Sequence, residues 1–223
     1  MILYHIITTY HLFEAMVHRM RYHKEDEAIL VFPDFGAGKF PQYAKLKELG
    51  FFDNVYLFPY ENINHGNYEE DVVKAVNETI PYSLFDMEKI YVAGAQFYFS
   101  YYLIANNIPF YFFEEAGGNL TRPEDWIITM NRIQQYDYAI KYGLMTGDNR
   151  NVIKRICNLE AQKDREQLLN VEDFSITKEL ASLDSKDIDL ILEFFDVPKL
   201  TYKDNSIIIL TQHFAGLKMM TYE

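Results

Sequence analysis

Cysteine is almost absent from this chain, which contains only Cys157 among its 223 residues. One cysteine cannot form an internal disulfide, so the class of disulfide-rich secreted proteins is excluded. The residues around Cys157 follow a helical pattern, and we expect a structural thiol there rather than a nucleophile. Spacings such as C-x-x-C and H-E-x-x-H are also missing, so the sequence predicts neither a metal site nor a bound cofactor.

Basic residues are scarce as well, with 21 Lys and Arg against 33 Asp and Glu and a net charge of -12. Such a negative chain repels the phosphates of nucleic acids, so we expect no nucleic-acid partner. The charge also disfavours broad docking on an anionic membrane, although a local basic patch leaves peripheral membrane association open.

Long apolar runs are the third absence, because no stretch approaches the roughly 18 residues that a membrane-spanning helix needs. The segment 1–7 lacks the basic start of a signal peptide and is typical of a first strand. Together with the single cysteine, this predicts a soluble cytoplasmic protein without a transmembrane segment. Hydrophobic residues still make up 49% of the chain, which is enough for a packed core.

Strand and helix patterns alternate through the first half of the chain. The apolar runs predict strands at 2–8, 28–32, 55–58, 89–93 and 108–113, and helical spacing predicts helices at 12–22, 42–49, 68–79 and 96–106. Consecutive βα units form parallel sheets covered on both faces. The predicted fold class is therefore α/β, a Rossmann-like parallel sheet with helices on both faces plus a helical C-terminal segment.

The second half has a different pattern. Residues 125–193 predict mostly helix and no strand, 198–205 predict a polar linker, and 207–210 predict a further buried strand. That strand either joins the first sheet at its edge or begins a second domain, and we favour the second explanation. The domains expected are a Rossmann-like domain at 1–122, its helical extension at 123–200, and the start of a truncated domain at 201–223.

The most informative segment is Glu114-Glu115-Ala116-Gly117-Gly118-Asn119, directly after the fifth predicted strand. In open α/β sheets, ligands bind at the carboxyl ends of the strands. A carboxylate fixed there can act as a general base. Adjacent strand residues point to opposite faces, so only one of Glu114 and Glu115 is expected to face a cleft. The alternative is that one acid caps the next helix while the glycines form a turn.

Other strand ends supply polar residues to the same predicted cleft. Thr8, Thr9 and His11 follow the first strand, Asp34 follows the second, and Gln96 follows the fourth. With Gly117 and Asn119 they form the predicted substrate-binding set. Thr8 or Thr9 is equally suited to cap the helix that follows, and a histidine in the first helical turn is more often a surface residue.

Three of these segments resemble bacterial sialyltransferases of glycosyltransferase family 52. The turn Thr8-Thr9-Tyr10-His11 resembles the family's Thr-Pro-Tyr-like turn, with Thr9 in place of proline. The segment Glu114-Glu115-Ala116-Gly117 is similar to its acidic motif with the general base, although Glu115 replaces aspartate and Ala116 precedes the glycine. The segment Thr211-Gln212-His213 is similar to the start of the family's second domain.

The resemblance implies the N-terminal half of a two-domain GT-B enzyme. It implies an inverting, metal-independent transferase that moves sugar from a nucleotide-sugar donor, CMP-sialic acid or another, to a glycan acceptor in capsule or surface-polysaccharide synthesis. Glu115 or Glu114 would be the base, and Gln212 and His213 would lie on the donor side. The family's other donor motifs do not follow His213, so this half is expected to be inactive alone.

Two alternatives remain at this point. The chain could be a non-catalytic Rossmann-like module for ligand binding or assembly, or an enzyme that acts on a small molecule in the same cleft. Homo-oligomerisation is also left open by the sequence.

Overall fold

The computed structural model describes residues 1–115, 119–121 and 136–197. The strands in this part of the chain form one sheet, and every pairing in it is parallel. In chain order the strands are β1 (Ile2–His5), β2 (Ala28–Pro33), β3 (Asn54–Phe58), β4 (Lys89–Ala93), β5 (Phe110–Phe113), β6 (Val152–Cys157) and β7 (Val171–Asp173).

Helices follow most of the strands. They are α1 (Thr9–Tyr22), α2 (Asp34–Ala37), α3 (Tyr68–Thr79), α4 (Phe99–Ala105), α5 (Tyr136–Lys141), α6 (Ile176–Ala181) and α7 (Ser185–Phe194). Short 3₁₀ turns occupy several of the remaining connections, including Pro41–Lys45 and Tyr60–Asn62.

The sheet has a hydrophobic core on each face, because neighbouring strand residues point in opposite directions. Leu3 packs in one core with side chains of α3 and α4, and Tyr4 packs in the other with side chains of α1 and α7. Both faces of the central strands are therefore buried, which explains why these strands are apolar without alternation. The predicted α/β class with helices on both faces is confirmed.

Strand order creates a crevice above β1. The order is β3-β2-β1-β4-β5-β6-β7, so the chain runs outward from β1 to β3 and then crosses back to β4 on the other side of β1. The connections after β1 and β4 leave the sheet toward opposite faces at such a reversal, and ligands bind between them. The ends of β1, β4 and β5 are thus the part of the sheet edge where a site is expected.

The structure differs from the sequence prediction in the second half. Strands β6 and β7 lie where helix is expected, and they extend the sheet beyond β5. Lys154 and Arg155 interrupt the apolar pattern of β6, and β7 has only three residues. The predicted helix at 42–49 is also wrong, since this segment contains the 3₁₀ turn Pro41–Lys45 and ends at Gly50 with φ +76°.

The remaining parts of the domain prediction lie outside the described residues. These are the boundary at 122, the linker from 198 and the strand predicted at 207–210. Whether that strand begins a second domain stays a prediction.

Candidate active site

Helix α1 begins at the crevice because Thr8 caps it. Thr8 has an extended backbone, and its Oγ1 accepts a hydrogen bond from the backbone N–H of His11 at 3.1 Å. This satisfies one of the free N–H groups at the start of the helix. Thr9 is the first helical residue and is exposed. The capping alternative is therefore correct for Thr8.

His11 is buried, which corrects the expectation of a helix-surface histidine. Its side chain is 1% exposed, and its Nε2 lies 3.3 Å from Oε2 of Glu115. A carboxylate oxygen only accepts, so Nε2 is the nitrogen of His11 that can donate to Glu115. Nδ1 of His11 has no hydrogen-bond partner among the described residues. The first turn of α1 and the end of β5 are thus joined by a polar contact at the crevice.

Glu115 differs from Glu114 in having a free oxygen. Its Oε1 is buried without a hydrogen-bond partner in the described part of the chain, while its side chain retains 13% exposure. Gly94, after β4, lies next to it: a Cβ built on Gly94 would overlap Ile7 and would lie in ordinary contact, 3.5 Å, with Oε1 of Glu115. Glu115 therefore lies at the crevice where the strand order reverses, and its Oε1 is available to accept a proton.

Glu114 has a structural role in the same place. Its Oε1 accepts a hydrogen bond from the backbone N–H of Asn158 at 2.8 Å, and its Oε2 accepts one from Nε2 of Gln162 at 2.7 Å. These contacts fix the end of β5 to the loop that follows β6. Glu114 is 3% exposed. The two adjacent glutamates thus have different roles. This agrees with the prediction that neighbouring strand residues point to opposite faces.

Glu14 is a third carboxyl group in this region, and it is absent from the predicted set. Burial raises the pKa of Glu14 well above its usual range, and the nearby Glu114 and Glu115 raise it further. The sequence does contain a signal for it. Glu14 follows His11 by three residues on the buried stripe of α1, where a carboxylate is unusual.

The other predicted residues have separate positions. Gln96 lies after β4, is 4% exposed, and its Oε1 has no partner among the described residues. Asp34 lies at the end of β2, where its carboxylate accepts backbone N–H groups of Phe35 and Glu61. Gly117, Gln212 and His213 lie outside the described residues, and so does the side chain of Asn119.

Cys157 ends strand β6 rather than lying in a helix, and it is buried. Burial, with smaller contributions from Glu114 and Asp173, raises the pKa of its thiol to about 12. The thiol is therefore protonated near neutral pH, and a protonated thiol is a poor nucleophile. The other groups at the crevice that can exchange protons are the carboxyl groups and His11.

No helix in the described residues is both long enough and apolar enough to cross a membrane. No protein-family model, curated protein or solved structure matches the chain.

Proposed function

We propose that this chain is the acceptor-side half of an inverting, metal-independent glycosyltransferase of surface-polysaccharide synthesis. The observation that carries the proposal is the His11–Glu115 pair at the carboxyl edge of the sheet, with Nε2 and Oε2 3.3 Å apart. A sugar hydroxyl is a weak nucleophile, and a positioned carboxylate removes its proton as the new bond forms. Glu115 is the base we assign, because both oxygens of Glu114 already accept hydrogen bonds.

The reaction follows from this assignment. Glu115 accepts the proton of the acceptor hydroxyl, and the hydroxyl oxygen attacks the anomeric carbon from the face opposite the nucleotide. The bond from that carbon to the nucleotide phosphate breaks, so the configuration inverts and the phosphate leaves with the electron pair. His11 holds the carboxylate in one orientation throughout, which is a positioning role.

Two further residues fit the acceptor side of this reaction. Oε1 of Gln96 is buried and unpartnered among the described residues, so it can accept a hydrogen bond from an acceptor hydroxyl. Asp34 accepts a hydrogen bond from the backbone N–H of Glu61 in the turn after β3, and we assign it to the wall of the crevice on the side of β2.

The donor would be a nucleotide sugar, CMP-sialic acid or a related compound, bound by a second domain to which Gln212 and His213 belong. Nucleotide sugars are cytoplasmic substrates, and this is the location we propose. Basic groups and helix dipoles of the donor domain would stabilise the leaving phosphate in place of a metal ion.

The test is a transfer assay on the full-length gene product with a panel of CMP-, UDP- and GDP-sugars and a set of surface-glycan fragments. Release of nucleotide that depends on an acceptor, with inversion at the anomeric carbon detected by NMR, is the expected result. Retention of configuration would contradict the single displacement. Binding of glycans without any nucleotide release would favour the non-catalytic module.

A further inference from the structure

A cavity of about 270 Å³ lies beside Glu14 and Glu114, the glutamate that precedes Glu115 at the end of β5. It is lined by the first half of α1, the ends of β5 and β6, and the segment 174–177, which contains the connection after β7 and the first two residues of α6. Its size is just below the usual range for drug-sized ligands, so it suits one small group rather than an extended chain.

Aromatic rings form much of the wall of this cavity, which is lined by Tyr10, Phe13 and Phe174. Tyr10 is 43% exposed and stands at the mouth, whereas Phe174 is 3% exposed and lies inside. The face of an aromatic ring carries partial negative charge and attracts cations, and cages of such rings bind ammonium groups.

Glu14 supplies a polar group to the same cavity. It lines the space, is 3% exposed, and its Oε2 has no hydrogen-bond partner in the described part of the chain. A buried carboxyl oxygen without a partner costs free energy, so the site is incomplete without a ligand that contacts it.

The charges around the cavity have one sign. No lysine or arginine belongs to its described lining. Burial, with smaller contributions from the carboxyl groups of Glu14, Glu114 and Glu115, raises the pKa of Tyr10 to about 12. From the other elements, Glu114 at the end of β5 is the additional titratable group in the lining, and the segment 174–177 contributes no titratable side chain.

A small organic cation matches this combination better than a metal ion or an anion. An anion would meet carboxyl groups and no basic side chain. Among the described residues, no three His, Cys, Asp or Glu side chains are arranged to hold a metal ion. An ammonium group, in contrast, gains from both the ring faces and the carboxyl group.

We propose that this cavity binds an organic ammonium group, either the primary ammonium of an amino sugar or a quaternary ammonium such as choline. The inference rests on the proposed function in one respect, that the cation is part of the glycan acceptor whose hydroxyl meets Glu115. Binding itself requires no turnover, so it is measured separately from the transfer reaction.

Isothermal titration calorimetry with two probe pairs tests the proposal. Choline is compared with its uncharged isostere 3,3-dimethyl-1-butanol, and glucosamine with glucose, so that each pair isolates the charge. We expect at least one cation to bind about tenfold more tightly than its neutral counterpart. The pair that shows the difference identifies which kind of ammonium the cavity takes.

Two substitutions locate the binding. Glu14→Gln keeps the shape of the side chain but removes the charge, and it should weaken cation binding by about tenfold or more. Thr177→Trp, at an exposed lining position, should abolish binding by filling the mouth. Lys186→Trp is the matched control, because it adds the same side chain at an exposed position of α7 outside the cavity.

Proton release gives a readout that a purely structural role of Glu14 would not change. Burial and the nearby Glu114 and Glu115 raise the pKa of Glu14, and a bound ammonium group would lower it again, so cation binding should release protons by an amount that varies with pH, measured in buffers of different ionisation enthalpy. Glu14→Gln should eliminate this release.

Equal affinities within both probe pairs would overturn the proposal, and so would cation binding that Glu14→Gln and Thr177→Trp leave unchanged. Transfer activity without cation binding would support the transferase proposal and contradict the ammonium site. Cation binding at Glu14 in a protein that never releases nucleotide would support the ammonium site and contradict the transferase proposal.

Discussion

Gly94, beside Glu115, occupies a position that requires glycine. It has φ +69°, a conformation that residues with a Cβ adopt only with strain, and its missing side chain faces Ile7 and Oε1 of Glu115. Gly94→Ala should lower the free energy of unfolding by about 2–4 kcal/mol, from backbone strain and overlap with Ile7. Urea unfolding measures the change.

Gly38→Ala is the matched control. Gly38 has φ -68°, and a Cβ built there meets no atom within 4 Å. This variant should be between neutral and about 1 kcal/mol more stable than the native protein. Equal destabilisation by both substitutions would contradict the packing described at Gly94.

The sequence predicts the residues of the site better than it predicts their roles. A carboxylate at the end of β5 follows from the apolar run and the glycine turn, and strand geometry predicts that only one of Glu114 and Glu115 faces the crevice. Which one does so depends on Asn158 and Gln162, which lie in the loop after β6, a strand that the pattern does not reveal. The burial of His11 likewise depends on Glu115, a partner more than 100 residues away.

Strand β6 shows why an element can be invisible in the sequence. Arg155 lies in the middle of the strand and is 9% exposed, so its guanidinium needs partners inside the protein. It donates hydrogen bonds to the carbonyls of Thr146 and Leu169 and to the carboxylate of Asp148. These contacts stabilise the buried charge of Arg155. The local sequence pattern alone predicts that a charged residue here lies in a helix or a loop.

Lys154 and Arg155 are neighbouring cations in β6, and substituting each in turn tests how the buried charge is stabilised. Arg155→Met leaves three acceptors without their donor and should lower the free energy of unfolding by about 2–4 kcal/mol. Lys154→Met removes an exposed ion pair with Glu172, 3.1 Å long, and should change it by less than about 1 kcal/mol. Urea unfolding of both variants distinguishes the two sites, and similar losses would contradict the role given to Arg155.

At the scale of the whole molecule, the sequence predicts the α/β class of the fold but not the two strands, β6 and β7, that extend the sheet. Apolar runs identify five strands, because strands covered on both faces need no polar alternation. The strand order is set by packing between distant segments, and no local pattern specifies it. The crevice above β1 therefore becomes visible only when β4 is seen on the far side of β1.

Two buried histidines make the stability of the molecule depend on pH. Burial lowers the pKa of His5 and of His18 to about 3. Below the ordinary pKa of about 6.5, the unfolded chain binds protons that the folded protein excludes, so stability falls as the pH falls from 6.5 toward 3. From pH 7.5 to pH 5, each histidine should remove about 2 kcal/mol from the free energy of unfolding.

His18→Phe isolates one of these contributions. The substitution keeps an aromatic ring beside Tyr91 and removes the titrating group, while it also removes the contact of His18 Nδ1 with the Tyr4 hydroxyl. Its absolute stability therefore falls, but its loss between pH 7.5 and pH 5 should be about 2 kcal/mol smaller than that of the native protein. Urea unfolding at both pH values checks this, and equal pH dependences would contradict the buried neutral state of His18.

The central claim is that Glu115 is the base of a sugar transfer, and turnover of Glu115→Gln in the full-length gene product tests it most directly. Glu61→Gln is the control, because Glu61 is an exposed glutamate after β3 at the same edge of the sheet. With both variants folded, Glu115→Gln should lower kcat by about two to four orders of magnitude, while Glu61→Gln leaves it within about twofold. Unchanged kcat in Glu115→Gln would contradict the assignment of Glu115 as the base.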